Sequence, residues 1–288
     1  MNTSLEATRA ANRKGILAVI AAMSFFVCND ALIKHVSAEL AGAQLIFIRG
    51  LFAIALLLLV GKLLFQQKSY AALADLSVLT RALVDGLATI LYLTALFLLP
   101  LGNATAINMA TPIFIALGAA LIFKEKVSGI RWACIVLGFI GVMLVIQPRA
   151  EGFNSAAWLC LAATGLHALR DLLTRSIAAS VPSIVVTMAS AVSVTVLAGV
   201  ISIFQGWREV QLAHVLYLAL ASVFLSAGYF FIVRSMRSGD MAKIAPFRYA
   251  ALPIALLLGF VMWGEIPNPV AWIGIALLVS AGLVMLRR

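Results

Sequence analysis

The sequence is poor in charge. Only 11% of its 288 residues are charged and 64% are hydrophobic, whereas soluble domains carry roughly 25% charged residues. With a mean hydropathy of +1.09, this balance excludes a soluble enzyme, a secreted disulfide scaffold and a disordered chain. Cysteine is scarce as well: Cys28, Cys134 and Cys160 stand singly inside apolar runs, without metal-ligand spacing. The histidines His35, His167 and His214 are scattered, none in an i, i+4 pair, so no metal is expected. No glycine-rich loop ends in Lys-Ser/Thr, which excludes direct ATP coupling within the chain. Paired acidic motifs, a His-Glu metal motif and a serine with a positioned base are missing too, so neither an enzyme nor a cofactor is expected.

What is present is a succession of apolar runs. At about 20 residues per helical span, ten fit: Gly15–Val36, Gly42–Phe65, Ser77–Leu99, Leu101–Phe123, Ile130–Ile146, Ala156–Ala178, Ser183–Phe204, Leu212–Met236, Met241–Trp263 and Val270–Leu286. Runs of this length exceed barrel strands, and lipid offers backbone groups no partner outside their own helix. The expected fold is therefore all-α, a polytopic membrane protein of ten transmembrane helices. Arg9, Arg13 and Lys14 ahead of the first run imitate a signal peptide. No small-residue cleavage site follows, so the run reads as a retained span after a cytoplasmic N-terminus of residues 1–14.

The net charge of +10 reads in such a chain as basic cytoplasmic loops rather than a nucleic-acid partner. With the N-terminus inside, fifteen Lys and Arg residues fall on the cytoplasmic side against three outside (Lys34, Arg149 and Arg208). Both termini are expected in the cytoplasm of a bacterial-type inner membrane. The five tryptophans, Trp132, Trp158, Trp207, Trp263 and Trp272, all fall near span ends, where an interfacial belt puts them.

The two halves resemble each other. Asn29-Asp30 with Lys34 recurs as Arg170-Asp171 with Arg175 at an offset of 141, and Pro112 recurs as Pro253 at the same offset. Glu125 and Trp132 recur as Glu265 and Trp272 at an offset of 140. This order implies a tandem duplication, residues 15–147 and 156–286. Five spans per copy is an odd number, so the second copy must enter the membrane upside down. Inverted repeats are the architecture of alternating-access carriers, with the site near the midplane between the copies. An inverted-repeat channel is the alternative, but these charges are mixed in sign and form no ring.

Ten spans in two five-helix halves resemble the EamA type of the drug/metabolite transporter superfamily. The segment from Asn103 through Pro112 to Glu125 is similar to that family, as is Ala245-Pro246-Phe247-Arg248-Tyr249 through Pro253 to Gly264-Glu265. So are Asp30…Lys34 and Gln44…Arg49; the first half departs in showing Lys124-Glu125 where the family has Gly-Glu. The resemblance covers nearly the whole chain. It implies a carrier of small metabolites, often an exporter, working as a monomer or homodimer.

The candidate site residues are the polar groups at membrane depth. A charge facing lipid there costs at least about 2.5–3.5 kcal/mol, so these groups should face the bundle interior. Asn29, Asp30, Arg49 and Asn108 form an outer cluster; Arg170, Asp171, Arg248 and Tyr249 form an inner one. Asp30 is expected to pair with Arg49 or Lys34, and Asp171 with Arg248. Asp85 either pairs with Arg81 one turn earlier or serves as a proton site. Pro112 and Pro253 each free a carbonyl, at Asn108 and Tyr249, and such carbonyls need other partners at depth. Tyr92, Tyr229 and His167 are further candidates for the cavity wall, core packing being the other reading. A cavity of Asp, Arg, Asn and Tyr suits a small polar solute, an amino acid first, by export; the alternatives are a cationic drug, an S-adenosylmethionine-like solute or a nucleotide sugar. The partners expected are that solute, the lipid bilayer and protons as coupling ion. A reporter fused after Arg288 should behave as cytoplasmic, and an extracytoplasmic signal there would sink the ten-span reading.

Overall fold

The computed structural model describes residues 2–63, 71–122, 128–147, 154–174, 176–178, 180–236 and 244–286. Glu125, Arg175, Lys68, Lys124, Lys126, Arg149, Arg237, Lys243, Arg287 and Arg288 lie outside them. The described chain is helical, without strands. Its helices are α1 (Asn2–Val36), α2 (Gly42–Leu63), α3 (Leu76–Leu98), α4 (Leu101–Asn108), α5 (Thr111–Ile122) and α6 (Gly129–Ile146). The second half continues with α7 (Ala156–Thr174), α8 (Ser183–Gln205), α9 (Leu212–Met236), α10 (Ala251–Trp263) and α11 (Pro269–Leu286).

Among the described residues six helical segments are long and apolar enough to cross a membrane: Asn12–Val36, Gly42–Leu63, Leu76–Leu98, Leu101–Gly118, Ser183–Gln205 and Leu212–Ile232. Three shorter apolar helices, Trp132–Ile146, Phe247–Trp263 and Pro269–Val284, accompany them. The tenth expected span is α7, whose second half carries His167, Arg170 and Asp171. The protein is an all-α polytopic membrane protein.

The first, fourth and ninth spans differ from the sequence reading. Helix α1 starts at Asn2 rather than Gly15, because residues 2–14 hold neither Pro nor Gly and are rich in helix formers. The fourth and ninth spans are each broken ahead of their proline. Leu101–Phe123 divides into α4 and α5 around Met109 and Ala110; the ninth begins as a 3₁₀ turn, Ala245–Ala250, before α10. Pro112 and Pro253 stand at the second and third positions of α5 and α10, where a missing N–H costs least.

Burial runs opposite to a soluble protein. Large apolar side chains such as Leu59, Val196, Phe204, Leu216 and Val261 are exposed, while Asn29, Gln44, Arg49, Asp85, Thr164 and His167 are buried. The principal helix pairings come in matched sets on exchanging the halves. Helix α1 packs on α9 as α7 packs on α3, and α2 on α9 as α8 on α3. The α4–α5 segment meets α7 as the 3₁₀–α10 segment meets α1, while α2 with α8 and α6 with α11 pair between equivalent helices.

The α6–α11 contact is built on glycine. A Cβ at Gly141 would come 2.7 Å from the Gly274 carbonyl oxygen, and one at Gly274 would come 2.6 Å from that of Gly141. The obstacles are backbone atoms, which cannot swing aside. Gly141→Ala should therefore cost about 1–3 kcal/mol by overpacking, read as a lower unfolding temperature in detergent; an unchanged temperature would mean that these helices separate freely.

Candidate functional site

The site is built on helix spacing. On α3, Arg81, Asp85 and Tyr92 follow one another at four and seven residues, so Asp85 and Tyr92 stand two turns apart, about 10 Å along the axis. On α7, His167, Arg170 and Asp171 follow at three and four. Because α3 and α7 pack together, their polar residues meet in two layers.

The first layer joins five helices. Tyr92 donates its hydroxyl to Asp30 Oδ2 at 3.0 Å, and Asn29 Nδ2 donates to Asp30 Oδ1 at 3.0 Å. Arg49 Nη1 donates to Asn29 Oδ1 at 3.4 Å. The Tyr92 ring lies 5.9 Å from that of His167, whose Nδ1 is 3.0 Å from Asn108 Oδ1. Asn29, Arg49, Tyr92 and His167 are all buried.

The second layer is an ion network. Asp85 binds Arg170 at 2.8 Å and Arg81 at 3.2 Å, and Arg170 also binds Asp171 at 2.8 Å. Arg81 donates further to the Ser190 hydroxyl and, at 3.3 Å, to that of Thr174. Asp85 therefore does pair with Arg81, and with Arg170 besides.

Other expectations need correction. Arg49 and Lys34 do not pair directly with Asp30: Asn29 stands between Asp30 and Arg49, while Lys34, one turn further along α1, reaches Glu265 at 2.7 Å. Asp171 pairs with its neighbour Arg170 rather than with Arg248. The 3₁₀ winding of Ala245–Ala250 separates successive side chains by a third of a turn. It turns Tyr249 against α11, where its hydroxyl occupies the space left by Gly282 and has no hydrogen-bond partner among the described residues. Tyr229 packs edge-on against Phe26, ring centroids 5.3 Å apart. The freed carbonyls are also answered locally: the Thr111 hydroxyl donates to Asn108 O at 2.6 Å, and the Ala251 N–H to Tyr249 O. Pro112 and Pro253 thus shape the segments rather than line the polar layers with bare carbonyls.

One cluster escaped the sequence reading. Gly264 closes α10 in the left-handed conformation, φ +67°, with Glu265 N–H bonded back to Gly259 O at 3.1 Å. That turn delivers the Glu265 carboxylate to Lys34 and to the Leu101 N–H at the start of α4, 2.7 Å away. Lys34 also donates to the Leu99 carbonyl and lies 5.0 Å from the Trp263 ring centre. A carboxylate on a helix N-terminus is favoured by the helix dipole. The Gly264-Glu265 pair was the available signal. Its distant partner Lys34, 231 residues away, was not.

A helical bundle with an apolar exterior and layered charges inside is the construction of a membrane transporter. The sequence profile of the EamA-like transporter family matches residues 13–147 and again 154–287. The chain belongs to that family. A riboflavin transporter of Rhizobium johnstonii is 30% identical over 73% of this chain and 70% of that protein. An S-adenosylmethionine uptake transporter of Rickettsia prowazekii is 22% identical over 90% of this chain and 87% of that protein. A solved crystal structure with 18% identity matches the fold with a TM-score of 0.64, covering 96% of this chain and 97% of that one.

Asp85 is the group on which the second layer turns. Asp85→Ala leaves the half-buried Arg81 and Arg170 without their shared counter-charge, although Arg170 keeps Asp171, an arrangement that costs up to about 3 kcal/mol. The unfolding temperature in detergent should fall sharply and recover in part in the Asp85→Ala, Arg170→Met double variant. Equal temperatures for the single variant and the parent would show that the network contributes nothing.

Proposed function

We propose that this protein carries a small polar organic solute across the bacterial inner membrane by alternating access, as a secondary carrier with both termini cytoplasmic. The two repeats, residues 15–147 and 156–286, are read as inverted copies. The duplicate family match, the odd span count per copy and the matched pairings across the halves support that reading. In this orientation the Lys34–Glu265 cluster lies at the outer end and the Arg81–Asp85–Arg170 network toward the cytoplasm.

The observation that carries the proposal is the pair of polar layers at equivalent positions of the two copies. Asn29 donates to Asp30 as Arg170 donates to Asp171, each on its adjacent residue. Layers at opposite depths can close opposite ends of one pathway in turn, which a carrier requires and a channel does not. Asn29, Asp30, Arg49, Tyr92, Asn108 and His167 would meet the solute from one side, and Asp85, Arg170, Asp171 and Arg248 from the other. Asp30, which forms no ion pair among the described residues, is the carboxylate through which protons would couple.

An amino acid is the simplest solute for a site of mixed charge. The relative named for S-adenosylmethionine uptake extends this to a solute that joins an amino-acid head to a heteroaromatic ring, which we take as the leading class. The relative named for riboflavin supports a second reading, a flavin. Purified protein in liposomes should take up labelled S-adenosylmethionine, riboflavin or a member of an amino-acid panel saturably, faster with the same solute trapped inside. Flux of these solutes that rises linearly and ignores the trapped solute would mark a channel instead.

A further inference from the structure

Arg49 is 5% exposed, and no carboxylate among the described residues forms an ion pair with it. Among the described residues its Nε is buried without a hydrogen-bond partner, and its Nη1 has only a long bond, 3.4 Å, to Asn29 Oδ1. A guanidinium offers five donors in a planar fork suited to a two-oxygen acceptor. Leaving a buried, charged donor unmet is costly, so native structures rarely do it without a use. Asp85, Arg170 and Arg81 by contrast share one network, and Lys34 has Glu265.

Asn29 explains what the fork waits for. Its amide is 2% exposed residue surface, wedged between opposite charges. The carbonyl end accepts from Arg49 and the amino end donates to Asp30. The amide thus presents an acceptor to a cation and a donor to an anion across a short distance. An α-amino carboxylate presents the same couple, each member at full charge: a carboxylate for the guanidinium and an ammonium for the carboxylate.

Resting on the carrier reading above, we propose that Arg49 and Asp30 form the docking site for the α-amino-carboxylate head of the solute, with Asn29 as the placeholder that the head displaces. The carboxylate meets Arg49 through Nε and an Nη, filling the vacant donor. The ammonium replaces Asn29 Nδ2 at Asp30 Oδ1, while the Tyr92 hydroxyl keeps Oδ2. Bonds with both partners charged replace bonds in which only Arg49 or Asp30 is charged, so the head gains over the placeholder. The site therefore selects the amino-acid-bearing class over a flavin, which has no such head.

The experiment measures uptake of labelled S-adenosylmethionine into liposomes holding the purified full chain, with unlabelled S-adenosylmethionine or its decarboxylated form as competitor. The parent protein should bind the carboxylate-bearing competitor at least about tenfold more tightly, the size expected for hydrogen bonds to a charged group. In Arg49→Gln that preference should vanish, and in Arg49→Lys it should survive in part, because the charge remains but the fork is lost. The comparison within the parent protein stands even if a variant fails to fold. Equal competition by the two forms in the parent, or an unchanged preference in a folded Arg49→Gln, would overturn the docking site. Saturable flux of riboflavin without flux of S-adenosylmethionine or any amino acid would also overturn it while leaving the carrier intact. Flux of none of them would sink the carrier reading itself.

Discussion

The constraint on which the structure depends is that a charge inside a bilayer must find its polar partners inside the protein. Hydrocarbon solvates neither an aspartate nor a guanidinium. Every helix carrying such a group must therefore turn that face inward and meet another helix that does the same. The exposed leucines and phenylalanines of α2, α8 and α9 are the other side of that requirement. Here helix packing and polar chemistry are one problem, and the α3–α7 contact solves it by bringing Arg81, Asp85, Arg170 and Asp171 together.

The two halves that match one family profile make the solution double, and unequal. Arg49 and Ser190 stand at an offset of 141, as do Arg81 and Ser222. The Ser222 hydroxyl donates to the Arg49 carbonyl, and Arg81 donates to the Ser190 hydroxyl, so each arginine meets a serine of the opposite half. At Asn29 and Arg170 the copies part. The second copy has an arginine beside its aspartate and ties a full ionic network; the first has an amide. One layer is electrostatically closed, and the other keeps an arginine in reserve.

Backbone irregularities serve this layering. The break between α4 and α5 sets Asn108 at a helix end, where its amide reaches His167 while its carbonyl takes Thr111. Gly264 turns the chain out of α10 and brings Glu265 onto the first turn of α4. Both devices follow from residues that end helices for steric reasons, Pro112 by its missing N–H and Gly264 by its positive φ. Gly141 and Gly274 do for packing what these do for direction, letting two backbones touch.

Much of this was legible in the sequence, because the bilayer reads composition and period directly. Apolar runs of about 20 residues have one available conformation in lipid, so the helices and the all-α class followed from the letters alone. The Asp85–Arg81 pair was legible too, since four residues on a helix are neighbours whatever the fold. Residue types named the candidate site, Asn29, Asp30, Arg49, Tyr92, Asn108 and His167, but only as polar groups that must face inward. Which of them touch was decided by tertiary structure. The sequence suggested Asp171 with Arg248 and Asp30 with Arg49 or Lys34; the bundle chose Arg170 for Asp171, set Asn29 between Asp30 and Arg49 and gave Lys34 to Glu265. Contacts such as Lys34 with Glu265, 231 residues apart, depend on helix rotation and on the turn at Gly264. Rotation is settled by the summed packing of all neighbours, which no local pattern encodes.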